Sequence, residues 1–244
     1  MEEEEEKQNN LSCIDVKAVL VGESGVGKTS ILKQFTTHIF DPDCQASISS
    51  QFTSKVITIP NESNGIRFDL WDTAGQEKYR SLAKIFYKDA KVVIFVYEVI
   101  SKKSFENLKS YWYEQVKNNC SSNAVFALVA NKSDLYNKAE IEEKDGIKWA
   151  DEIEAIFQST SAMNNTGIDS LFENIGKKII NPNFNYKEEN EADKKLYELK
   201  KQNEKNKKNK KEIDDENDID NIPDVKKIKI DINTSKKKKK RKCC

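Results

Sequence analysis

The sequence predicts a layered α/β domain, a mostly parallel sheet with helices on both faces, and three observations carry that prediction. Residues 16–21, 66–71, 92–97 and 124–130 are short runs dense in apolar side chains, as in strands covered on both faces. Phe105, Leu108, Trp112 and Val116 recur at i, i+3, i+7 and i+11, and Ile168, Leu171, Phe172, Ile175 and Ile179 draw a wider stripe, each the buried face of a helix. Strands and helices alternate through residues 11–180, which make one domain.

Taken in order, the strand at 16–21 runs into a glycine-containing turn and a helix carrying Ile31, Leu32 and Phe35. His38, the single histidine, falls near the end of that helix and reads as a solvated surface residue. Residues 52–59 and 66–71 are joined by Pro60-Asn61-Glu62-Ser63-Asn64-Gly65, a turn-rich link suited to an antiparallel hairpin. The strand at 92–97, the helix from Phe105 to Val116 and the strand at 124–130 follow. Ile147, Ala150 and Ile153 suggest a further helix, weakened by Gly146, which costs up to about 1 kcal/mol in a helix interior. A short apolar segment, Ala155-Ile156-Phe157, precedes the last helix.

Composition divides the chain. The 41 Lys and Arg cancel the 41 Asp and Glu, yet residues 1–180 carry a net −6 and residues 181–244 a net +6. All eight glycines precede residue 181. Of the last 64 residues 34 are charged and 15 apolar, too few apolar groups to offset the entropy of ordering a backbone. Residues 181–244 therefore read as a disordered, charged tail, and residues 1–10 as a disordered acidic N-terminus. No apolar run exceeds seven residues, far short of a membrane span. The opening Met-Glu-Glu-Glu-Glu-Glu-Lys is acidic where a secretory or mitochondrial signal is basic, and Glu2 excludes N-myristoylation. Five cysteines without CxxC spacing suggest neither a disulfide framework nor a zinc site. The chain reads as cytosolic.

Gly22-Glu23-Ser24-Gly25-Val26-Gly27-Lys28-Thr29 matches GxxxxGK[ST], between an apolar strand and a helix, with Ser30 next. Glycines let the backbone curl so that successive N–H groups meet phosphate oxygens, and the helix N-terminus adds positive potential. Lys28 reaches the β- and γ-phosphates in that arrangement, and the Thr29 hydroxyl binds Mg. This motif alone separates neither ATP from GTP nor a kinase from a switch. Asp72-Thr73-Ala74-Gly75 follows the strand at 66–71 and brings a carboxylate to the metal and a glycine to the γ-phosphate. Asn131-Lys132-Ser133-Asp134 follows the strand at 124–130, and a carboxylate there accepts both N1–H and N2–H of guanine, a donor pair adenine lacks. Ser161-Ala162-Met163 can offer a backbone N–H to guanine O6. All three motifs fall at C-terminal ends of strands, where open α/β sheets bind ligands.

In this order the motifs resemble those of a Ras-superfamily small GTPase of the Rab family, over about residues 14–180. Trp71-Asp72-Thr73-Ala74-Gly75-Gln76-Glu77-Lys78-Tyr79-Arg80-Ser81-Leu82 resembles the Rab switch II signature, and Ser24 is also Rab-like. Residues 81–90 and Phe95-Val96-Tyr97 resemble the early-endosomal branch most. The resemblance implies the three-layer P-loop NTPase fold with a six-stranded sheet and one antiparallel hairpin. It implies a monomeric GTPase domain with GTP/GDP and Mg bound, working as a switch in vesicle trafficking on an endosomal membrane. Gln76 then orients the attacking water and Lys28 supports the transfer. Intrinsic rates in such enzymes are on the order of 10⁻⁴ s⁻¹, raised about 10³–10⁵-fold by a partner's arginine. The implied partners are an exchange factor, an activating protein, a prenylation escort or dissociation inhibitor, and effectors, with no nucleic acid.

Phe40 falls where the family packs an aromatic on the guanine edge, and Ser47 where it has the Mg-binding Thr. Ser47 keeps the hydroxyl but loses the stiffness of a β-branched side chain. Ser49 replaces a usual glycine and Met163 a usual Lys. Phe52, Trp71 and Phe86 match the aromatic triad presented to effectors, although large aromatics also simply pack domains. Lys236 to Lys242 is an unbroken basic run, a pattern shared with nuclear-import signals and nucleic-acid tails. Cys243-Cys244 resembles the Rab double-geranylgeranylation site and decides for a membrane anchor, since two lipid signals give stable binding where one is marginal. Two other readings stand beside the switch. One is a guanine-nucleotide-binding module with very weak hydrolysis, serving as a constitutive membrane-recruitment platform. The other, a P-loop kinase of a small metabolite, is disfavoured by Asn131-Lys132-Ser133-Asp134 and the terminal cysteines.

Overall fold

Strand burial sets strand position. The computed structural model describes residues 12–44, 51–60, 62–73 and 86–188. Its strands are β1 (Cys13–Val21), β2 (Gln51–Thr58), β3 (Gly65–Asp72), β4 (Val92–Glu98), β5 (Val125–Asn131) and β6 (Ile156–Ser159). They form one sheet in the order β2-β3-β1-β4-β5-β6. The β2–β3 pair is antiparallel and every other pair parallel. The central β4 is an unbroken apolar run, Val92 to Tyr97, buried throughout, because helices cover both of its faces. Edge strand β2 alternates half-buried and exposed residues.

On one face lie α1 (Lys28–Thr37) and α5 (Ile168–Ile180), whose Ile31, Leu32, Phe35, Leu171, Phe172 and Ile175 share a core with β1 and β3. Phe35 stacks on Phe172 with centroids 3.6 Å apart. On the other face lie α2 (Lys102–Asn107), α3 (Tyr113–Lys117) and α4 (Glu143–Glu152), packed on Phe95, Tyr97 and Leu128. This is the predicted class: helices on both faces of a six-stranded sheet with one antiparallel hairpin.

Two elements differ in detail from the sequence prediction. The stripe Phe105, Leu108, Trp112, Val116 is buried as expected, but its helix is interrupted by a π-helical turn, Leu108–Trp112, between α2 and α3. In α4 the buried residues are Gly146, Trp149 and Ala150, while Ile147 is 37% exposed. The reason is close contact. A Cβ on Gly146 would lie 2.4 Å from the Tyr97 hydroxyl and 2.7 Å from the Phe157 ring. The glycine that weakens the sequence case for a helix is where the helix meets the sheet.

Past Ile180 the chain stays packed for a few residues: Lys178 Nζ donates to the Phe184 carbonyl at 3.1 Å and Tyr186 is half-buried. Among the described residues no helix is long and apolar enough to cross a membrane.

Candidate functional site

The C-terminal ends of β1, β3, β5 and β6 bring the motif residues to one edge of the sheet. β1 ends at Val21 and α1 begins at Lys28, so Gly22 to Gly27 must turn the chain within six residues. Gly22 has φ +148, and a Cβ there would lie 2.2 Å from the Val96 carbonyl oxygen. Gly27 caps α1 with φ +95 and no side-chain cap, which leaves the first-turn N–H groups available to an anion. Its missing Cβ would lie 2.3 Å from Asn131 Nδ2. Ser24 and Gly25 are exposed, Val26 is buried and Ser30 is half-buried.

Lys28 is buried at 5% exposure, and its Nζ donates to the carbonyls of Gly22 and Glu23, both at 2.9 Å. Burial lowers its pKa to about 8, against the opposing pull of the Asp72 and Glu23 carboxylates. Thr29 Oγ1 donates to Asp72 Oδ2. That hydroxyl and carboxylate are hard oxygen donors of the kind Mg takes, so the residues present fit such an ion. Thr73 Oγ1 donates to the Leu20 carbonyl at 2.7 Å and fixes the exit from β3. Ser47, Ser49, Gly75 and Gln76 lie outside the described residues.

Asn131 is 1% exposed, and it joins the two halves of the site. Its Nδ2 donates to the Val26 carbonyl at 2.8 Å, and its Oδ1 accepts from Thr160 Oγ1 at 3.1 Å. Ser133 N donates to the Thr160 carbonyl at 3.0 Å. Lys132 is left-handed, with φ +61, and pairs with Glu98 at 2.5 Å. Asp134 Oδ1 accepts from Ser161 Oγ at 2.5 Å, and that oxygen accepts from Asn164 N at 3.1 Å. Ala162 is buried and Met163 is 59% exposed, so a backbone contact, not the Met163 side chain, is what this loop can offer inward. Thr160 and Glu98 were missed by sequence reasoning. The only signal for either is its place at a strand end beside a motif.

Phe40 is half-buried and packs against the core under α1 and α5. Phe52, 55% exposed, lies 5.1 Å from Trp71, and Trp71 lies 5.7 Å from Phe86, centroid to centroid, with both of these half-buried. The three make one continuous aromatic surface. His38 is exposed at the end of α1, where its N–H donates to the Gln34 carbonyl at 3.0 Å.

A family model described as the Ras family matches residues 17–181. The Ras-related protein Rab-22A of Homo sapiens is 37% identical over 171 residues, 70% of this chain and 87% of that protein. Rab-18 of Lymnaea stagnalis is 39% identical over 165 residues, 68% of this chain and 80% of that protein. Rab-31 of Mus musculus is 36% identical over 165 residues, 68% and 83%.

Proposed function

Because the chain belongs to the Ras family, as a small GTPase of the Rab type, we propose that residues 11–180 bind GTP and GDP with Mg and hydrolyse GTP slowly, so that the chain switches effector recruitment on an endosomal membrane. One observation carries the reading: Asn131 is bonded both to Val26 of the phosphate loop and to Thr160 of the base-binding loops. Segments over 100 positions apart are thereby tied side by side at one edge of the sheet.

In this reading Lys28 and the loop N–H groups bind the β- and γ-phosphates, and Asp134, Lys132 and the Ser161 to Met163 loop bind the base. Thr29, Asp72 and Ser47 hold Mg, which when bound neutralises charge on the β- and γ-phosphate oxygens. Gln76 orients the attacking water. Exchange, activating and escort proteins are expected as partners, with effectors on Phe52, Trp71 and Phe86.

The lowered pKa of Lys28 gives a pH signature. The ammonium form is the one that binds phosphate, and phosphate charge raises its pKa again. A group whose pKa rises on binding takes up a proton, so affinity is full below about 8 and falls as pH rises through it, by up to about tenfold per pH unit. Calorimetry in buffers of different ionisation enthalpy should show uptake near zero around neutral pH, approaching one proton a unit above the Lys28 pKa.

Ser47 and Ser49 favour a second reading, the weakly hydrolysing recruitment platform. Single-turnover GTP assays separate the two. With an activating protein the wild type should accelerate about 10³-fold or more and Gln76→Leu should not. Equal slowness of both establishes the platform. The terminal Cys243 and Cys244, beside the basic run from Lys236 to Lys242, support a doubly prenylated anchor. These residues lie outside the described ones. Replacing both cysteines by serine should move the protein from the membrane to the soluble fraction, and unchanged sedimentation contradicts the anchor.

A further inference from the structure

Glu23 puts a carboxylate in the phosphate-binding loop, where its charge repels the anion the loop is shaped to hold. Its charge is close enough to Lys28 to raise that residue's pKa, and its carbonyl accepts from Lys28 Nζ at 2.9 Å. The structure shows what restrains it. Trp112 Nε1, 89 residues away, donates to Glu23 Oε1 at 3.0 Å. Trp112 is 1% exposed, and its ring is braced by Tyr111, edge-on with centroids 5.3 Å apart. It closes the π-helical turn Leu108–Trp112, the one break in an otherwise α-helical run. A π turn widens a helix by one residue and re-aims the side chains that follow, and such turns recur at functional sites.

We propose that Trp112 is a positioning residue for nucleotide binding: its indole N–H holds the Glu23 carboxylate toward α2 and α3 and away from the phosphates, and the π turn exists to aim it. The inference rests on the nucleotide-binding reading above. A hydrogen bond to a charged group is among the stronger kinds, and losing it frees a negative charge at the site rather than merely loosening a side chain.

The test is GDP release from the full-length chain, with a fluorescent GDP analogue, as a two-by-two cycle of Trp112→Phe and Glu23→Gln. Stoichiometric GDP binding by the wild type secures the reading beneath the proposal; its absence would fail that reading, not the cycle. Trp112→Phe should speed release about tenfold alone and less than threefold in the Glu23→Gln background, because no charge is then set free. Equal acceleration in both backgrounds makes Trp112 ordinary packing and overturns the proposal, as does no acceleration in the wild-type background. Should Trp112→Phe not fold, Glu23→Asp, one methylene too short to meet the indole, should release GDP at least threefold faster at an unchanged melting temperature. Any smaller effect overturns the proposal.

Discussion

Substituting Asp134→Asn should weaken GDP and GTP binding about 1,000-fold or more and transfer preference to xanthine nucleotides. A buried site built to pair particular donors discriminates by such factors, because the mismatched groups are left unpaired. In the proposed site the Asp134 carboxylate would accept from guanine N1–H and the 2-amino group. An amide can accept only one of these and turns its own N–H toward the other. Xanthine carries a carbonyl at that position and accepts the amide N–H. The fold of the loop should survive, since Asn Oδ1 can still accept from Ser161 Oγ as Asp134 Oδ1 does at 2.5 Å. Competition between labelled GDP and unlabelled xanthosine diphosphate measures the switch. Retained guanine preference in the variant means that Asp134 does not read the base.

The second large effect is expected at Gly22. An alanine there meets the Val96 carbonyl at 2.2 Å, in a backbone with φ +148. Val96 belongs to central β4 and pairs with Val129 of β5, so its carbonyl has little freedom to yield. Strained backbone costs about 1–3 kcal/mol and overpacking a similar amount, so Gly22→Ala should lose about 3 kcal/mol or more. In a domain of this size that lowers the melting temperature by about 6–12 °C. Gly25 is the control, since nothing lies within 4 Å of its missing Cβ and φ is +84. Gly25→Ala should cost only the left-handed penalty, about 1–2 kcal/mol. Melts at several GDP concentrations separate intrinsic stability from ligand stabilisation. Equal losses at the two glycines would mean that backbone conformation, not the contact with Val96, decides.

Much of this was legible in the chain. Runs such as 92–97 are strands because short apolar stretches must be covered on both faces, and their order with the helical stripes leaves few topologies. The motif residues were legible because phosphate and guanine chemistry demand particular groups at particular spacings. Less legible were Glu98 and Thr160, which act through contacts distant in sequence: Glu98 pairs Lys132 across 34 positions and Thr160 holds Asn131 across 29. Ile147 misled because periodicity reports which face is apolar, whereas the buried face of α4 was chosen by where Gly146 lets Tyr97 and Phe157 approach.

The sequence by itself determined the fold class, the family, the spacing of the phosphate-loop and proposed base-binding motifs and the contrast between net −6 over residues 1–180 and net +6 over residues 181–244, because each is a matter of residue type and spacing. Only the tertiary structure decided which groups hold those motifs in place. Asn131 pinning Val26, Ser161 restraining Asp134 and Trp112 holding Glu23 are hydrogen bonds closed over 105, 27 and 89 positions. No local propensity encodes them. They exist because parallel strands carry distant segments to the same edge of one sheet.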